Sequence, residues 1–74
     1  MPNEITWAAL LASNVRARRT ELRLSQEELA HRVGVDVRYL GGIERMQENP
    51  TLKVIVALAD ALGCSPIALL SPED

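Results

Sequence analysis

The stretch from Gln26 to Arg45, QEELAHRVGVDVRYLGGIER, admits few folds. Leu29, Val33, Leu40 and Ile43 recur at helical spacing, which gives two short helices a buried side each. Ala30 sits where a larger side chain would hold those helices apart. Gly34 comes directly after the first helix, where a left-handed residue is needed to end it. Val35 is the apolar plug of the turn, and Asp36 is a good N-cap for the second helix. Each of these matches is easy alone; together they specify two helices joined by a tight turn.

The second helix carries the functional signal. With Val37 as its first residue and about 100° per residue, Leu40 and Ile43 point to one side. Arg38, Gly41, Gly42 and Arg45 point to the other. Two arginines two turns apart, with no side chains between them, suit close approach to a polyanion. Arginine is also shaped to grip guanine O6 and N7, or a phosphate, with two hydrogen bonds. A helix that merely solvates its arginines has no use for Gly41-Gly42, because each glycine costs about 1 kcal/mol against alanine. The expected partner is double-stranded DNA, with residues 26–45 as the motif that meets its major groove.

The rest of the chain extends this to an all-α fold of five helices in one domain, residues 1–74. The first helix is expected from about Thr6, its N-cap, to Leu22, with Trp7, Leu11, Val15 and Leu22 as its apolar stripe. Arg18 falls on that stripe, so its stem should pack while its head reaches solvent or an acid. Ser25 and Glu28 form a capping box for the second helix. The third runs from Val37 to Met46, and Gln47-Glu48-Asn49-Pro50 is a loop. Thr51 caps a fourth helix, Leu52 to Leu62, which Gly63 ends. Ser65-Pro66 starts a short fifth helix through Leu70, and Ser71-Pro72-Glu73-Asp74 is expected to fray. There is no strand candidate.

The net charge is −2, an awkward value for a nucleic-acid binder until its distribution is read. Up to residue 45, Arg16, Arg18, Arg19, Arg23, Arg32, Arg38 and Arg45 stand against Glu4, Glu21, Glu27, Glu28, Asp36 and Glu44. Beyond it only Lys53 opposes Glu48, Asp60, Glu73 and Asp74. Local patches, not the total, set phosphate affinity. Every arginine lies in the segment expected to face DNA, though the small excess argues against strong non-specific binding.

Other function classes find little support. The single cysteine, Cys64, precludes an intramolecular disulfide and reads as a small buried residue in a reducing compartment. No apolar run approaches membrane-spanning length, and the N-terminus lacks a secretory signal, so a cytoplasmic protein is expected. His31 has no second His or Cys at ligand spacing. Ser25 is explained as a cap, with no His-Asp partnership arranged around it. No phosphate-binding glycine loop or paired carboxylate site is visible, so neither enzyme activity, a cofactor nor a metal is expected.

The segments VRARRTELRLSQEELA, GIER followed by NPTL, and ALADALGCSPIALL make the chain resemble the Cro/phage-repressor-type, or XRE-like, helix-turn-helix family. The likeness runs from Val15 to Leu70 and implies a compact, lambda-repressor-like domain that binds operator DNA as a dimer. It also implies that Gln26 contacts the DNA backbone and braces the third helix. Val37, Arg38, Gly41 and Gly42 occupy positions from which such proteins read bases. Tyr39, Arg45 and the Asn49 loop match positions near phosphates, and Glu44 matches an acid that pairs with an arginine of the first helix, here Arg16 or Arg19. The pattern RYLGGIER further resembles the small controller proteins of restriction–modification systems.

Departures from that family pattern narrow the expectation. Val37 stands where a polar residue, often Gln, is usual, Gly41 where Ser is common, and Gly42 where a longer polar or basic residue is. Met46 and Arg23 replace common glycines. Arg38 is thus the main hydrogen-bonding base reader, and Val37 could touch a thymine methyl. Remaining selectivity would come from DNA shape and half-site spacing.

The fourth helix holds a second clue. Leu52, Ile55, Ala59 and Leu62 suffice for a core, leaving Val54, Leu58 and Ala61 on a second apolar face, with Ile67 and Leu70 nearby in sequence. Those five residues are expected to form a two-fold homodimer interface, which would place two recognition helices a DNA turn apart. The competing expectation is an antitoxin or protein-interaction module that uses the same apolar face for a partner protein.

Overall fold

A computed structural model describes residues 6–72. It contains α1 (Trp7–Glu21), α2 (Gln26–Val33), α3 (Val37–Glu44), α4 (Leu52–Leu62) and α5 (Pro66–Leu69), with no strand among the described residues. Glu73 and Asp74, expected to fray, lie outside them. Ser71, assigned to the same frayed tail, is held: its backbone carbonyl accepts from Asn14 Nδ2 at 2.8 Å, and its hydroxyl donates to the Ile67 carbonyl at 2.7 Å.

The helix starts are written in side-chain chemistry. The Thr6 hydroxyl accepts from Ala9 N–H at 3.1 Å, Thr51 from Val54 N–H at 3.2 Å, and Ser65 from Ala68 N–H at 3.2 Å. The capping box on α2 is complete, with Glu28 N–H donating to Ser25 Oγ at 3.0 Å and Ser25 N–H to Glu28 Oε1 at 2.8 Å. The hydrogen bond from the Ser25 backbone holds the Glu28 carboxyl below its usual range. Asp36 Oδ1 accepts from Arg38 N–H at 2.7 Å and so opens α3. Gly34 and Gly63 end their helices at φ +86° and +72°, where a Cβ is strained. Arg23 and Met46 adopt the same left-handed region at φ +59° and +62° without being glycine. α3 stops at Glu44, two residues short of the expected Met46, because Arg45 caps it and Met46 reverses the chain.

The helices close on Leu11, Val15, Leu24, Leu29, Ala30, Leu40, Ile43, Leu58, Ala59, Leu62 and Leu69. Val33 and Val35 pack against this cluster from its edge. α1 meets α3, α4 and α5, whereas α3 meets α1 and α2. Two expectations need correction. In α1 the buried apolar residues are confined to its middle, Leu11, Ala12 and Val15, and Trp7 (68 % exposed) and Leu22 at the two ends are largely open. In α4 the buried arc centres on Leu58 and Leu62, roughly 40° round from the expected stripe. Leu58 is fully buried and Leu52 is 70 % exposed. α5 is the cause, packing on α4 and α1 and sending Leu69 into the core.

Candidate nucleic-acid interface

α3 is locked to the body by a polar network at its C-terminal end. Glu44 is buried and takes two hydrogen bonds from one guanidinium, Arg19 Nε to Oε2 at 2.7 Å and Arg19 Nη2 to Oε1 at 3.0 Å. Gln26 Nε2 donates to Oε1 at 3.0 Å, and Arg16 Nη2 donates to the Glu44 carbonyl at 2.6 Å. Arg19 Nη1 also holds the Leu24 carbonyl at 2.9 Å. The ion-pair partner is therefore Arg19, while Arg16 grips the backbone of the same residue. Burial alone would push the Glu44 carboxyl upward, but hydrogen bonds from Arg19 and Gln26 and the charges of Arg19 and Arg16 hold it below its usual range. The hydrogen bond with Glu44 keeps the Arg19 guanidinium more basic than usual. One carboxylate thus joins α1, the start of α2 and the end of α3.

That network fixes which side of α3 faces outward. Leu40 and Ile43 are in the core, and Val37 and Tyr39 pack half-buried against it. Arg38 projects freely with its side chain 93 % exposed, and its ion pair with Asp36 is loose at 3.7 Å. Arg45 is exposed, and its Nε donates to Gln47 Oε1 at 3.1 Å. Asn49 is exposed in the loop beyond, and Gln26 is half-buried with its amide turned to Glu44.

Gly41 and Gly42 depart from the bare face expected of them: both are buried. A Cβ on Gly41 would lie 2.9 Å from Arg45 Nη1, and one on Gly42 would lie 2.5 Å from Glu48 Cγ. Side chains from the end of the helix and the loop after it fold back over the two glycines, so the space between the arginines is filled rather than empty.

Sequence reasoning passed over Glu48 and Asn14. Asn14 is buried in α1, where its amide donates to the carbonyls of Leu69 at 2.9 Å and Ser71 at 2.8 Å, tying down the end of α5. Its place three residues after Leu11 and beside Val15 was the available signal.

The residues expected at a dimer interface do not share one open face. Leu58 belongs to the core, Val54, Ala61 and Leu70 pack half-buried against it, and Ile67 is 76 % exposed. Ile67 instead joins Trp7, Leu10, Leu70, Ser71 and Pro72 in an apolar groove between α1 and α5. His31 is exposed and Cys64 half-buried. Among the described residues no group of three or more His, Cys, Asp or Glu could hold a metal ion, and no helix is long and apolar enough to cross a membrane.

Comparison with known proteins gives the same picture. The helix-turn-helix family profile matches residues 15–69. The chain is 44 % identical over 64 residues to control protein C.SmaI of Serratia marcescens, covering 86 % of this chain and 76 % of that one. The crystal structure of the hypothetical transcription factor NHTF from Neisseria superposes with a TM-score of 0.88 at 40 % identity, over 90 % of this chain and 77 % of that one. The restriction–modification controller protein C.AhdI from Aeromonas hydrophila superposes with a TM-score of 0.80 at 42 % identity, over 84 % and 94 %. With five helices among the described residues, an α2–turn–α3 unit braced through Glu44 and these likenesses, the chain belongs to the XRE-type helix-turn-helix family and has the fold of its DNA-binding transcriptional regulators.

Proposed function

We propose that this protein is a cytosolic transcriptional regulator that binds a palindromic operator as a homodimer, with α3 laid in the major groove. The observation that carries this is α3 itself, immobilised through Glu44 at one end while Arg38 stands free on its outward side. The braced helix presents Arg38 from a fixed backbone, and the planar fork of its guanidinium matches guanine O6 and N7. Arg38 is the principal base reader, Val37 offers an apolar edge to a thymine methyl, and Tyr39, Arg45 and Asn49 meet the phosphates. Gln26 acts mainly by positioning α3, since its amide is already given to Glu44.

Dimerisation is assigned to the α5 side, through Ile67 with Leu70 and the edges Val54 and Ala61, and Trp7 takes the place first given to Leu58. The support is exposure: Ile67 and Trp7 are large apolar residues on one groove, open to solvent in the monomer. Likeness to C.AhdI favours a restriction–modification controller as the biological role. The test is a footprint on the DNA just upstream of the gene, with sedimentation of the protein alone and bound. Two protected half-sites about one helical turn apart and a dimer in both measurements are expected. No protection would refute DNA regulation at that site, and a stable monomer would refute the dimer.

A further inference from the structure

We propose that Glu48, although it lies in the loop after α3, is a base-reading residue of the recognition face and occupies the position that Gly42 leaves vacant. This rests on the DNA-binding reading above. Gly42 follows Arg38 by four residues, so a side chain there would stand one turn along the same outward face. Gly42 is nevertheless buried, and what buries it is Glu48: its Cγ would lie 2.5 Å, and its Oε2 3.5 Å, from a Cβ at residue 42. No alanine fits beneath Glu48 as it stands. The glycine therefore serves as a seat for a side chain borrowed from the loop. The Gln47 N–H donating to the Gly42 carbonyl at 2.7 Å fixes the loop over that seat.

The chemistry of the borrowed group limits what it can read. An ionised carboxylate only accepts hydrogen bonds. Among the described residues no hydrogen bond or ion pair commits it to the fold, and Glu48 is exposed. In the major groove its matching partner is the cytosine N4 amino group, whereas guanine O6 and N7 and the phosphates repel it. Glu48 thus selects cytosine beside the base gripped by Arg38. It also weakens binding to arbitrary sequences, consistent with the chain's slight negative charge.

Selection from a randomised duplex library tests this, using the full chain as wild type, Glu48→Ala, Glu48→Gln and Gly42→Ala. Circular dichroism first establishes that each is folded, and Glu48, being exposed, is the safe substitution should Gly42→Ala fail that check. The wild type is expected to select a motif with one cytosine per half-site favoured about tenfold or more. Glu48→Ala should flatten that position alone, Gly42→Ala should flatten it by unseating the carboxylate, and Glu48→Gln should move the preference toward adenine. An unchanged motif in Glu48→Ala would overturn the proposal, as would an equal gain in affinity for selected and random duplexes. A wild type that selects no motif would overturn sequence-specific DNA binding itself, an outcome distinct from either.

Discussion

Replacing Glu44 by alanine should cost this domain a large share of its stability. The substitution removes two hydrogen bonds to Arg19 and one to Gln26, and leaves a guanidinium only 14 % exposed with the Leu24 carbonyl as its remaining partner. Breaking a buried pair by removing one member costs about 3–5 kcal/mol. Arg19 keeps some access to water, so the lower end, about 3 kcal/mol, is expected. A chain of this size is stable by about 4–11 kcal/mol in all. The midpoint of thermal unfolding should therefore fall by roughly 12–24 °C. Glu44→Gln, which keeps the shape and some hydrogen bonding, should lose about half as much. The pair Arg19→Met with Glu44→Leu should recover most of the loss, because two apolar groups leave no buried charge. The Glu44 carboxyl is held below its unfolded value, so its contribution is present above the ordinary carboxylate range and is lost as pH falls through the lower folded value. Urea unfolding followed by circular dichroism, at one fixed protein concentration, gives each number. A loss under 1 kcal/mol for Glu44→Ala, with no coupling to Arg19 in the double mutant, would refute the network as the lock on α3.

Three further outcomes follow from the same structure. Met46→Gly and Arg23→Gly should each stabilise the protein by about 0.5–1 kcal/mol in urea unfolding, since both residues sit at positive φ where a side chain is penalised; destabilisation by either would contradict the strain. Asn14→Ala should cost about 2–3 kcal/mol by stranding the Leu69 and Ser71 carbonyls, and amide exchange should show α5 opening first; unchanged exchange there would remove Asn14 as the tie. Ile67→Asp should leave a folded chain that sediments as a monomer, whereas Leu58→Asp should unfold it; a dimer in Ile67→Asp would move the interface away from α5.

The fold was legible in this sequence because its signals are local. Thr6, Ser25, Asp36, Thr51 and Ser65 each sit one residue before a helix and bond into its first turn, and Gly34 and Gly63 adopt the left-handed conformation their positions suggested. The side of α3 that packs was equally clear, because Leu40 and Ile43 leave no second choice. What could not be read were facts that depend on a distant element. Leu58 and Leu52 exchange their expected roles because α5 and its Leu69 turn α4 about its axis. Gly41 and Gly42 look bare on a helical wheel because a wheel contains no loop to send Glu48 back across it. Asn14 becomes structural only when the carbonyls of Leu69 and Ser71 arrive, fifty-five and fifty-seven residues later. The Arg19–Glu44 pair was within reach only as one of two alternatives, and three-dimensional packing decides it by giving Arg16 the backbone carbonyl instead.

The central claim is that the free face of α3 reads DNA, and Arg38 tests it most directly. Dissociation constants of wild type and Arg38→Ala should be measured at one salt concentration, on the duplex selected by the wild type and on a random duplex of equal length. Arg38→Ala is expected to lose about 1–3 kcal/mol per half-site on the selected duplex and far less on the random one. Equal losses on both would make Arg38 a phosphate contact, and no loss on either would take α3 off the DNA.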